Sequence, residues 1–103
     1  MNVAYADGVF EELVELSAYI AVENEPAAQR FLDGCETSIQ LVAQNPFIGI
    51  RKNFENPQLS EVRMWRVKGF EKYLIFYLPT DPGIKILHVM HSAYDYNRIF
   101  NIE

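Results

Sequence analysis

A chain of 103 residues, half of them hydrophobic and 14% aromatic, supports one packed core and excludes both a second domain and long disordered segments. Its formal net charge of −5 is uneven: residues 1–50 carry one base and eight acids, residues 51–103 eight bases and six acids. That balance disfavours general nucleic-acid binding, because the phosphate backbone rewards a broad positive surface, but it leaves room for a local basic site.

In chain order, residues 2–5 predict a short first strand. Asp7 reads as an N-cap, with Glu11 and Glu12 early in the helix near its positive end. From Val9 to about Val22 the positions Phe10, Leu13, Ser17 and Ile20, flanked by Leu16 and Tyr19, recur at helical spacing, and Glu11, Glu12 and Glu15 read as a solvated face. Asn24-Glu25-Pro26 ends that helix and starts a second, with Asn24 as cap and Pro26 in the first turn. The second helix runs to about Gln44 on a stripe of Ala28, Phe31, Leu32, Cys35, Ile39 and Val42. Gly34 costs about 1 kcal/mol there against alanine, so it reads as a point of close helix–helix approach. The very short connection predicts an antiparallel helical hairpin.

Asn45-Pro46 closes the second helix, and residues 45–60, with Pro46, Gly49 and Pro57, read as loop. Three runs rich in β-formers follow, Val62 to Val67, Tyr73 to Leu78 and Ile84 to Met90. Their hairpin-length connections predict an antiparallel sheet. Simple alternation puts Val62, Met64 and Arg66 opposite Arg63, Trp65 and Val67. It puts Leu74, Phe76 and Leu78 opposite Tyr73, Ile75 and Tyr77, and Leu87 and Val89 opposite Ile84, Ile86, His88 and Met90. One face covers the hairpin. The other is also apolar, with no helix left to bury it, so it is expected to be offered to a partner.

The order helix, helix, loop and three-stranded sheet resembles the RelE/ParE superfamily of type II toxin–antitoxin toxins, closer to the ParE branch, over nearly the whole chain. The resemblance is carried by Tyr19-Ile20-Ala21, Pro26 through Leu32, Asn45-Pro46-Phe47-Ile48-Gly49, Leu59 through Phe70, Tyr73 through Tyr77 and His88 through Asp95. It implies an α+β fold, a helical hairpin packed on a C-terminal antiparallel sheet with a short N-terminal strand added, and a single domain over 1–103. It implies growth inhibition by the free protein, a role in plasmid stabilisation, and a cognate antitoxin in a hetero-oligomer. ParE-like members poison DNA gyrase; RelE-like members cut messenger RNA on the ribosome. A chain that only binds its antitoxin is a third outcome. Similar toxins carry arginine in a closing pattern like His-Gly-Ala-Arg-Asp, where this chain reads His91-Ser92-Ala93-Tyr94-Asp95, replacing a guanidinium with a mostly neutral phenol. Arg98 could stand in for it.

The chemistry fits binding better than catalysis. RNA cleavage by an internal 2′-hydroxyl needs a base, a phosphate-stabilising cation and a leaving-group acid. Candidates are His88, His91, Tyr94, Arg63, Arg66 and Lys72, with Arg66, His91 and Tyr94 the set to test. His88 and His91 differ by three and point to opposite faces of an ideal strand. Residues suited to antitoxin or target contact are Arg51, Lys52, Arg63, Trp65, Arg66, Tyr73, Tyr77, Tyr94 and Arg98. The lone Cys35 lies on the apolar stripe and reads as a buried, inert thiol in a reducing compartment. Two histidines without ligand-spaced carboxylates argue against a metal, no glycine-rich phosphate loop is present, and no cofactor is expected. The chain start lacks a signal-peptide pattern and no run approaches the roughly 20 apolar residues of a membrane span. A cytoplasmic protein without membrane contact is expected.

Overall fold

The computed structural model describes residues 2–52 and 57–94. A short strand, β1 (Val3–Tyr5), leads into α1 (Val9–Glu23) and α2 (Glu25–Gln44). Then come β2 (Ile50–Arg51), a 3₁₀ turn (Pro57–Leu59), β3 (Arg63–Val67), β4 (Phe70–Pro79) and β5 (Ile84–His91). The sheet order is β1-β5-β4-β3-β2. Neighbours pair antiparallel except β1, which lies parallel to β5. The expected α+β arrangement is therefore present, with a mixed sheet. No described helix is long and apolar enough to cross a membrane.

Asn24 caps α2 as expected: its side chain accepts from the Ala27 N–H at 3.0 Å, and Pro26 occupies the first turn. Such a cap contributes about 1 kcal/mol. Asp7 is not the cap of α1. Gly8 holds that position with φ 92° and no side-chain cap bond. The 45–60 stretch is not all loop, since it contains β2 and the 3₁₀ turn. Two exposed residues are too few to show a period, which is why β2 is invisible to pattern reading.

The main core lies between the helices and one sheet face. Phe31, Cys35, Ile39 and Val42 of α2 meet Val67, Ile75, Ile84, Ile86 and Val89. Burial pushes the Cys35 thiol up to about 12, in keeping with an inert core group. Gly34 serves a different approach from the expected one. A Cβ there would lie 2.5 Å from the Lys68 carbonyl oxygen and 3.3 Å from a Val67 methyl, so α2 closes on the β3–β4 turn rather than on α1. One turn later Ser38 Oγ accepts from the Lys68 N–H at 2.9 Å. Gly34→Ala gains helix propensity of about 1 kcal/mol but meets backbone, which cannot swing away. A net loss of about 1–2 kcal/mol in urea unfolding is expected.

The second sheet face is not left open. Val62, Met64, Leu74, Phe76 and Met90 form a second core in which none is more than 6% exposed, and Leu59 of the 3₁₀ turn packs against it. The expectation of a bare partner face is thus overturned. The strand parity also differs. Phe76 pairs with His88 but Tyr77 with Ile86, so β5 carries one extra residue. Beyond this bulge the alternation inverts: Val89 turns to the helices and Met90 to the second core. Glu12 fills the irregularity, accepting from the Val89 N–H at 2.9 Å and meeting His88 Nδ1 at 2.6 Å. It is therefore an inward clasp between α1 and β5, not part of a solvated acidic face.

Candidate functional site

Most of the described residues singled out from the sequence fall into two groups and one core position, with His88 set apart in the Glu12 clasp. The first group lies at the β2–β3 edge, beside the C-terminal half of α2. There a groove of about 390 Å³ has Leu41, Ile50, Met64 and Trp65 as apolar lining and Arg66, Lys68 and Glu71 as its charged lining. Trp65 is half-buried and packs partly on the main core. Arg66 is exposed and donates to the Glu71 carbonyl at 2.8 Å.

The other bases of this edge are partly spent on the fold. Arg51 donates through Nε and Nη2 to the Ser60 carbonyl at 3.2 and 2.9 Å and lies 3.9 Å from Glu61. Arg63 donates through Nη1 to the carbonyls of Phe47 and Gly49 at 3.1 and 2.8 Å and sits 5.2 Å from the Phe47 ring centroid. Its Nε is buried with no hydrogen-bond partner among the described residues. Arg63 thus pins the loop that leads into β2. Lys52 follows β2, its backbone N–H donating to the Val62 carbonyl at 3.1 Å.

Tyr77 belongs to neither group. It is fully buried, its hydroxyl donating to the Pro46 carbonyl at 2.8 Å and accepting from the Gly49 N–H at 2.9 Å. Burial raises its pKa, against the lowering influence of the Gly49 N–H and Arg63. It holds the wall of the groove from inside and offers no surface to a partner.

The second group is aromatic and lies at the far end of β5. Tyr73 packs edge-on to His91 with centroids 4.9 Å apart, and edge-on to Phe31, also at 4.9 Å. Leu16, Tyr19, Ala93 and Tyr94 complete a shallow hollow of about 330 Å³. His91 Nδ1 accepts from the Ala93 N–H at 2.9 Å, which leaves the proton of the neutral ring on Nε2. Burial, then Tyr19 and Tyr94, raise the Tyr73 pKa. Arg98 lies outside the described residues.

With both groups placed, comparison with known proteins decides the family. Residues 3–96 match the family described as ParE toxin of type II toxin–antitoxin system, parDE. The chain belongs to that toxin family. No curated protein matches it.

Within this ParE-family chain, the residues of an RNA-cutting set are only partly gathered: His91 and Tyr94 share the aromatic hollow, and Arg66 stands apart from them. Arg66 pairs with Leu74, whose side chain lies in the second core, while His91 pairs with Tyr73 on the helix side. Directly opposite residues share a face, so Arg66 and His91 emerge on opposite faces, with β4 between their strands. No group of three or more histidine, cysteine or acidic residues among those described could hold a metal. Sequence reasoning missed Leu41, Ile50 and Lys68 as groove residues. Leu41 follows Ser38 by three on α2, a spacing that signals a shared helix face but not what lies opposite it.

Proposed function

We propose that this toxin inhibits growth by binding a protein target, DNA gyrase being the target its branch suggests, and that an antitoxin silences it by laying an acidic, aliphatic segment in the β2–β3 edge groove. The groove carries this reading: it joins an apolar lining to Arg66 and Lys68, two bases beside the one acid Glu71, in a chain whose net charge is −5. The separation of Arg66 from His91 supports binding over RNA cleavage, because in-line attack needs its cation and its base at one phosphate.

The test is expression of the chain alone and with the product of the adjacent small reading frame. Growth arrest relieved by the neighbour is expected, with inhibition of purified gyrase in a supercoiling assay; unimpaired growth would overturn the reading. In the purified pair, Arg66→Glu is expected to weaken the complex by about 10–100-fold, seen by calorimetry, since it places like charge against the acidic segment. Intact transcripts in arrested cells separate this reading from a ribosome-dependent nuclease. Tyr94→Arg tests whether the phenol marks a lost target contact: stronger arrest on restoring the guanidinium would show that it does.

A further inference from the structure

The outer face of the helical hairpin presents an apolar ridge inside an acidic border. Phe10, Val14, Ala18 and Val22 follow one another at i, i+4 spacing along α1, and Phe10, Val14 and Val22 are 59, 65 and 84% exposed. Such a row forms one of the ridges by which helices pack, and here it runs for about 18 Å. Tyr5 braces its start, with ring centroids 4.7 Å from Phe10. Beside the ridge, Ala18 and Ala21 of α1 and Ala28 and Leu32 of α2 line an open furrow suited to a second ridge.

The charges around it have one sign. Glu11, Glu15 and Glu23 occupy the adjacent row of α1 and are exposed. Across the furrow Glu25 lines the α2 side, and Glu36 lies near enough to Tyr5 to raise its pKa, after burial. Arg30 is the sole base in either helix, and it lines a different hollow with Gly34, Lys68 and Gly69.

We propose that this face is a docking surface for an amphipathic helix whose apolar stripe is flanked by lysines or arginines. A second copy of this chain would bring acidic borders against each other, and an anionic bilayer would be repelled for the same reason. A basic helix meets both the ridge and its border. The surface shares no residue with the edge groove, so the inference stands apart from the antitoxin reading.

The probe is a labelled, helix-forming peptide with leucines at i, i+4 spacing flanked by lysines, and a twin with glutamates at the flanks. Each is titrated into the full chain by fluorescence anisotropy at low salt. The lysine peptide is expected to bind at least about tenfold more tightly than its twin, and to lose that advantage as salt shortens the screening length. Val14→Glu with Val22→Glu, at exposed positions, should abolish binding while circular dichroism stays unchanged. Glu11→Lys with Glu15→Lys should shift the preference towards the glutamate twin. Equal binding of both peptides, or a preference untouched by the charge reversal, overturns the proposal. So does a dimer in light scattering that the paired Val→Glu change dissolves, which assigns the face to a second copy. Partition onto phosphatidylglycerol vesicles with no peptide binding overturns it as well.

Discussion

Phe76→Ala is expected to lower the unfolding free energy of the isolated chain by about 3–5 kcal/mol, the range for deleting a fully buried phenylalanine. The effect is a property of the single chain because Phe76 has no exposed surface and sits among Val62, Met64, Leu74 and Met90. Loss of the ring removes its transfer free energy and leaves a cavity between β4 and whatever packs on that face. Urea unfolding of the purified chain measures it. A change below about 1 kcal/mol would mean that the face is open in solution and awaits a partner. A chain of this size has roughly 5–15 kcal/mol of stability to lose, so the variant should also accumulate poorly in cells.

The alternation of β3 and β4 was legible, and it correctly divided Met64, Leu74 and Phe76 from Trp65, Ile75 and Tyr77. What could not be read was the number of layers. The two described helices do cover only one face, but the second face buries its apolar residues as well, with Leu59 of a three-residue 3₁₀ turn among the groups against it. Turns that short carry no period. The bulge in β5 was hidden for a related reason. One extra residue inverts the pattern without changing composition, and its stabilising partner, Glu12, lies 77 residues from Val89 in the chain. The hairpin, by contrast, was legible to within a residue or two, because capping and apolar spacing act locally.

The candidate site shows the same division. Arg66 and Trp65 were identified by residue type, and both line the groove. Arg51 and Arg63 were chosen for the same charge, yet their guanidiniums hold backbone carbonyls of the chain itself. Arg66 holds one too, that of Glu71, so what sets it apart from them is its place in the groove lining, which residue type does not reveal. The closing arginine's absence at Tyr94 was visible, but that Tyr94 would share a hollow with Tyr19 of α1 depends on tertiary packing.

Tyr77→Phe is expected to cost about 2–3 kcal/mol, because one hydroxyl serves two backbone groups and its loss strands both. The phenol donates to the Pro46 carbonyl and accepts from the N–H of Gly49, a buried residue. No shape is lost, so the deficit is one of polar satisfaction rather than packing. Gly49→Ala attacks the same junction from the other side, since its Cβ would fall 2.5 Å from the Tyr77 oxygen. The two changes should therefore be non-additive: removing the hydroxyl relieves the closest clash. Relief should be partial, because the Tyr77 ring carbon Cε1 at 2.8 Å and the Met64 carbonyl at 3.0 Å remain in the way. The junction sits at the entry to β2, whose Ile50 lines the groove. If the groove receives the antitoxin, Tyr77→Phe weakens that complex as well as the fold, although Tyr77 itself touches no partner. Arg66→Glu should do the reverse, weakening the complex with little change in unfolding. A double-mutant cycle over Tyr77 and Gly49 by urea unfolding, read beside calorimetry on the antitoxin pair, separates the groove's support from its contact surface.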